Sequence, residues 1–170
     1  SNALNYSMVF WDSVYKNVAK NYPEIGTDVA LVDALTMWLV KKPDYFDVIV
    51  ASNLFGDIIT DLGAVLQGGM GFAASANINP QKRYPSMFEP IHGSAPKYEG
   101  KGIVNPIAAI ESIRLMMDHL GETEAALDIE DSITTVLSQG KVKTRDMGGD
   151  SSTADMGSAI RTNLLEGSSC

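Results

Sequence analysis

Residues 46–51, Phe-Asp-Val-Ile-Val-Ala, constrain the possible folds more than any other stretch of the chain. A short, almost continuously apolar run of this kind suits a strand buried on both faces of a parallel sheet. It runs at once into Ser-Asn-Leu-Phe-Gly-Asp-Ile-Ile-Thr-Asp-Leu-Gly, where the period becomes helical. Strand followed directly by helix is the building unit of an α/β fold. The flanking sequence agrees. One helix is predicted over residues 8–21, stopping before Pro23, and a second over 33–41, carrying Leu35, Met37, Trp38 and Leu39, with Pro43 barring its continuation. A third begins near Leu54. Three more are expected over 106–120, stopped by Gly121, over 122–138 and over 153–165. Between them, residues 67–106 are rich in Gly and Pro with little periodicity, and are too long for an ordinary connector, which marks a functional loop region. No repeat or low-complexity tract interrupts the pattern. The shift in composition near Gln67 predicts two parts, 1–67 and 68–170.

Charge narrows the range of partners. The formal net charge is -8, from 21 acidic and 13 basic residues with no block of Lys or Arg. That balance argues against nucleic acid or an anionic membrane surface and leaves small ligands. There is no membrane-length apolar run, so the chain reads as soluble. The only cysteine, Cys170, ends a polar Glu-Gly-Ser-Ser-Cys tail, which excludes an intrachain disulfide and makes a reducing, cytoplasmic setting the expectation.

Two constellations carry chemistry. Asp57 and Asp61 are four apart, so on a helix their carboxylates share one face and repel unless a cation lies between them. Two carboxylates suit Mg²⁺ or Mn²⁺; they suit a solvated helix face as well. Their place just after the apolar run favours a ligand, because α/β folds collect ligands at the carboxyl ends of strands. The second constellation is Phe-Glu-Pro-Ile-His-Gly-Ser-Ala-Pro-Lys-Tyr-Glu-Gly-Lys-Gly-Ile-Val-Asn-Pro, residues 88–106. Gly93, Ser94 and Ala95 are small enough to let backbone N–H groups approach a ligand. His92 offers a hydrogen-bonding ring edge, and Asn105 precedes Pro106 at a helix start. These properties suit a nucleotide or a purely structural loop, and His92 suits either.

Together, Asp-Val-Ile-Val-Ala-Ser-Asn-Leu-Phe-Gly-Asp-Ile-Ile-Thr-Asp-Leu-Gly and Met-Phe-Glu-Pro-Ile-His-Gly-Ser-Ala-Pro-Lys-Tyr-Glu-Gly-Lys-Gly-Ile-Val-Asn-Pro resemble the second half of the isocitrate/isopropylmalate dehydrogenases. These are metal-dependent oxidative decarboxylases of small 2-hydroxy acids. The similarity runs from about Ser1 to Leu165, and Ser-Ala-Asn-Ile-Asn-Pro-Gln-Lys-Arg-Tyr-Pro-Ser-Met-Phe-Glu-Pro is most similar to the tartrate and D-malate branch. The resemblance implies an α/β fold with a mixed sheet flanked by helices, present as a C-terminal fragment. It implies that 1–67 belong to a smaller substrate, metal and dimerisation domain and 68–170 to a larger cofactor domain. Asp57 and Asp61 match the family's metal pair, and Asp33 matches a third metal carboxylate supplied from the partner subunit of a homodimer. Asp33 and Asp57 thereby become the catalytic carboxylates. Glu89, His92, Gly93, Ser94, Ala95, Val104 and Asn105 match the cofactor loop, Asp146 a residue near the adenosine, and Asn2 an asparagine near the nicotinamide. Taken alone, Asp33 also suits a helix N-cap, Asp146 a turn, and Glu89 a loop carboxylate in water.

The match departs from the family in two places. NAD-using members resemble one another in carrying an acidic residue after His-Gly-Ser-Ala-Pro, where this chain has Lys97. Lys97 and Tyr98 resemble the NADP-dependent isocitrate dehydrogenases instead, whereas Lys-Thr-Arg-Asp-Met-Gly-Gly resembles the NAD type, so the cofactor is NAD or NADP; Lys97 also suits a solvated loop lysine. The second departure is length. The family's amino-terminal half holds its substrate-binding arginines and catalytic tyrosine, and its general-base lysine stands just before the residue matching Ser1. The opening Ser-Asn-Ala fits both the family pattern and a cloning scar. The expectation is an enzyme fragment that is inactive alone, against the alternative of a non-catalytic nucleotide- or metal-binding module.

Overall fold

The computed structural model describes residues 4–167 and separates into two compact units that divide between Gly63 and Ala64. It is a helix-rich α/β fold with one small sheet. No described helix is long and apolar enough to cross a membrane.

The first unit holds α1 (Ser7–Ala19), α2 (Val32–Lys41), a 3-10 turn at Pro43–Tyr45 and most of α3 (Asn53–Leu66). Helix α2 ends where Lys42, bonded through its N–H to the Trp38 carbonyl at 2.7 Å, meets Pro43, whose ring cannot continue the helix. The turn packs back on α2, and the Tyr45 and Phe46 rings meet edge-on with centroids 5.1 Å apart. Among the described residues of this unit, the buried apolar side chains are Leu35 and Ile59. Helix α1 buries none of its residues.

The expected buried strand at 46–51 does not form. These residues join no ladder, and Val48 and Val50 are 83% and 62% exposed. A strand needs partners for its N–H and C=O groups, and the described residues of this unit contain no second strand to offer them. The apolar run therefore lacks the covered faces that its composition requires.

In the second unit, β1 (Ala74–Asn77) and β2 (Met87–Pro90) pair antiparallel, with Ser75 opposite Glu89 and Ala76 opposite Phe88. This hairpin places two short strands within the 67–106 stretch expected to be a functional loop region, and the sheet it forms among the described residues is small and purely antiparallel, where a mixed sheet was expected. Both strands pack on α4 (Ile107–Leu120), α4 packs on α5 (Thr123–Gln139), and α5 on α6 (Thr153–Gly167). Gly121 closes α4 in the left-handed region at φ 93°, and the following Glu122 N–H reaches back to the Met117 carbonyl at 3.0 Å. The core is Ile107, Ile133, Val136, Met156 and Ile160, each a side chain whose burial stabilises by about 1.5–3 kcal/mol. Arg114 links α4 to α5: its Nε donates to Glu111 at 2.6 Å, and a second nitrogen lies 3.8 Å from Glu130. The Glu111 hydrogen bond, helped by the negative field of Glu111 and Glu130, holds the guanidinium pKa above its ordinary value. At the far end of α4, His119 Nε2 lies 3.1 Å from the Ser86 hydroxyl, which accepts the Asn79 N–H at 3.0 Å and so fastens the hairpin's 78–86 loop.

Candidate metal and cofactor sites

Helix α3 places Asp57 and Asp61 one turn apart, both exposed. Asn53 donates from its amide to Asp57 Oδ2 at 3.3 Å, and Thr60 turns its hydroxyl inward to the Gly56 carbonyl at 2.9 Å, leaving both carboxylates facing water. The helix carries no Lys, Arg or His, so no cation of its own offsets the two charges. Their oxygen-only chemistry fits a hard divalent cation. Asp33 sits in the first turn of α2, exposed, accepting the Ala34 N–H at 2.9 Å. It is not the helix N-cap, which is Leu31, but its charge is favourable near the positive end of the helix. Among the described residues, no three His, Cys, Asp or Glu side chains converge on one point.

The second unit gathers the loop residues. Asn105, buried at 7% exposure, donates from Nδ2 to Asp146 Oδ2 at 3.0 Å and accepts the Ile107 N–H at 3.0 Å on its Oδ1. The amide thus caps the start of α4 while gripping the turn at Arg145–Met147. Thr144, fully buried, donates to the other Asp146 oxygen at 2.5 Å. Gly71 closes the cluster from a third loop. Its carbonyl accepts the Ala108 N–H at 2.9 Å, and a Cβ there would lie 2.6 Å from Asp146 Oδ2 and 2.9 Å from the Asn105 Cβ. Val104, itself exposed, uses its carbonyl to accept the Thr153 hydroxyl at 2.5 Å, and the Gly102 carbonyl accepts the Thr153 N–H at 2.8 Å. Three loops are thereby drawn to the starts of α4 and α6. Sequence reasoning found Asn105, Val104 and Asp146 but missed Thr144 and Gly71. The signal for Thr144 was its position two residues before Asp146, where a hydroxyl commonly closes a local turn.

The other loop residues are exposed. Glu89 lies on β2, its carbonyl accepting the Ser75 hydroxyl at 3.1 Å and its carboxylate facing solvent. His92, exposed, donates from Nδ1 to the Gly93 carbonyl at 2.9 Å. Gly93 and Ser94 lead into Ala95, whose φ of 42° puts a non-glycine residue in the left-handed region. Lys97 and Tyr98 follow on a 3-10 turn, Pro96–Tyr98, with the Lys97 ammonium 4.8 Å from the Tyr98 ring centre. Asn2 lies outside the described residues.

Comparison with known proteins gives this geometry a context. A family model described as isocitrate/isopropylmalate dehydrogenase matches residues 1–160. A probable tartrate dehydrogenase/decarboxylase of Bacillus subtilis (strain 168) is 49% identical over 164 residues, covering 96% of this chain and 46% of that protein. A 3-isopropylmalate dehydrogenase of Thermobifida fusca (strain YX) is 47% identical over 165 residues, covering 97% and 46% respectively. Among solved structures, isocitrate dehydrogenase from Methylococcus capsulatus superposes with a TM-score of 0.86 at 41% identity, over 96% of this chain and 48% of that one. The chain spans about half the length of the curated relatives it matches.

Proposed function

Because the chain belongs to the isocitrate/isopropylmalate dehydrogenase family, we propose that it supplies the metal carboxylates and cofactor loop of a cytoplasmic, homodimeric, NAD(P)-dependent oxidative decarboxylase. The substrate is a small 2-hydroxy acid of the tartrate/D-malate or 3-isopropylmalate type. Residues 1–67 are assigned to the metal and dimerisation domain and 68–170 to the cofactor domain. The observation that carries the proposal is the exposed Asp57–Asp61 pair on a helix without a basic residue, since two unbalanced carboxylates a turn apart favour a divalent cation.

Asp57 and Asp61 hold Mg²⁺ or Mn²⁺, joined by Asp33 from a second copy of the chain. The cation these carboxylates would hold would supply Lewis-acid stabilisation of charge at the substrate's oxygen, and the dinucleotide would supply hydride-acceptor chemistry. The chain's own residues position these groups. Asn105 and Asp146 brace the loop on which Glu89, His92, Gly93, Ser94, Ala95 and Val104 face the dinucleotide, with Asp146 at its adenosine side and Asn2 at its nicotinamide side. Mn²⁺ titration followed by electron paramagnetic resonance tests the metal half of the proposal. Wild-type chain is expected to bind Mn²⁺, and Asp57→Asn to bind it about tenfold or more weakly; equal binding would remove the assignment.

A further inference from the structure

Residues 151–153 bond to both of the segments that carry Asn105 and Asp146. On one side, the Ser151 N–H donates to the Lys143 carbonyl at 2.9 Å, and the Ser151 hydroxyl accepts the Lys143 N–H at 3.1 Å. Gly149 permits this close return, because a Cβ there would collide with the Lys143 carbonyl oxygen. On the other side, Thr153 donates its N–H to the Gly102 carbonyl at 2.8 Å and its hydroxyl to the Val104 carbonyl at 2.5 Å. The Asn105–Asp146 bond at 3.0 Å joins the far ends. Segments 102–105, 143–146 and 151–153 thus form a closed ring of hydrogen bonds.

Thr153 fastens this ring to the core. It opens α6, where first-turn N–H groups have no partner within the helix, so the Gly102 carbonyl satisfies a donor that would otherwise be unpaired. Three residues on, Met156 is fully buried in the core of this unit. Val104 has no such anchor, since its side chain is 45% exposed and packing does little to fix it. We propose that Thr153 is a positioning residue for the dinucleotide, acting through the Val104 carbonyl to hold Val104 and Asn105 in place relative to Asp146. This inference rests on the reading of those three residues as cofactor-facing. A loop fixed before binding loses less conformational freedom on meeting its ligand, so the hydroxyl raises affinity without touching the nucleotide.

The test titrates NAD and NADP into the 170-residue chain by calorimetry, for wild type, Thr153→Val, Thr153→Ser and Ser151→Ala, with urea unfolding and amide exchange at 102–105 measured alongside. Thr153→Val keeps the β-branched shape and the N–H bond to Gly102, and loses only the hydroxyl bond. Affinity for the tighter dinucleotide should fall about three- to tenfold, the range for one hydrogen bond, with faster exchange at 102–105. Thr153→Ser should stay within about twofold of wild type. Ser151→Ala, which acts at the Lys143 side and away from α6, should weaken binding in the same direction and gives the comparison should Thr153→Val not fold. Unchanged affinity in Thr153→Val and Ser151→Ala, with a lowered unfolding midpoint, would make the ring purely structural and overturn the proposal. Equal losses in Thr153→Ser and Thr153→Val would overturn the role of the hydroxyl. Wild type binding neither dinucleotide would overturn the cofactor reading itself.

Discussion

The cluster around Asp146 shows how much a single small residue decides. Gly71 has no φ requirement; its lack of a side chain is what lets Asn105 and Asp146 meet, because a Cβ would enter contact distances of 2.6–3.0 Å. Gly71→Ala must push the Asn105–Asp146 pair apart or move the loop off α4. We expect about 1–3 kcal/mol of destabilisation in urea unfolding, the range for overpacking a filled site, and an unchanged midpoint would show the loop to be soft there. Asp155 makes a different kind of contribution. The Ser152 hydroxyl at 2.7 Å and the Ser152 N–H at 2.9 Å both donate to Asp155 Oδ2, and these bonds hold its pKa below the ordinary carboxylate value. In return, the Asp155 N–H donates to the Ser152 hydroxyl at 3.1 Å, forming a capping box at the start of α6. A depressed folded pKa means that the box stabilises fully above the usual carboxylate range and loses its effect as pH falls through the folded value. Amide exchange at the first turn of α6 should therefore rise relative to the helix middle below about pH 4, and Asp155→Asn should abolish that pH dependence.

At the scale of elements, an apolar run and a strand are different things. With no ladder among the described residues, the amides of 46–51 should exchange as fast as those of an open loop in the isolated chain, whereas β2 amides bonded to β1 should be protected. Strong protection at Val48 to Val50 would mean that the chain finds a strand partner in solution. The same contrast explains what sequence could show. Helices α1 to α6 were legible because helix signals are local: Pro23, Pro43 and Gly121 act close to their own positions and need no distant partner. Strands are defined by what lies beside them. Four residues of Ala-Ser-Ala-Asn carry little β signal, yet they pair because α4 covers them and Met87–Pro90 lies in register. For the candidate sites, spacing was enough to put Asp57 and Asp61 on one face of a helix, as α3 does, while their reading as metal ligands drew on their place after the apolar run and on the family resemblance. The Asn105–Asp146 bond spans 41 positions and the Thr153–Val104 bond 49, so neither geometry could be read from local pattern.

For the whole molecule, the two units differ in how much apolar surface they cover. The second has a core of five buried side chains drawn from three helices. The first buries Leu35 and Ile59 among its described apolar residues, while Val9, Phe10, Val14, Val18, Val48 and Val50 are all more than two-fifths exposed. Two buried side chains contribute only about 3–6 kcal/mol, small beside the conformational entropy of ordering some sixty residues at about 1–2 kcal/mol each. The first unit therefore needs a further surface to bury these groups. So many exposed apolar side chains on a chain in water favour association, with a second copy of the chain as the first available partner at high concentration. Light scattering at tens of micromolar should show dimers or larger species, shifting toward monomer on dilution. Phe10→Ser with Val14→Ser, on the exposed face of α1, should move that equilibrium toward monomer without lowering the unfolding midpoint of the second unit, whose core they do not touch. A compact monomer across the whole concentration range would show that the first unit is stable with its apolar groups in water. It would also remove the physical basis for assigning residues 1–67 to a dimerisation domain.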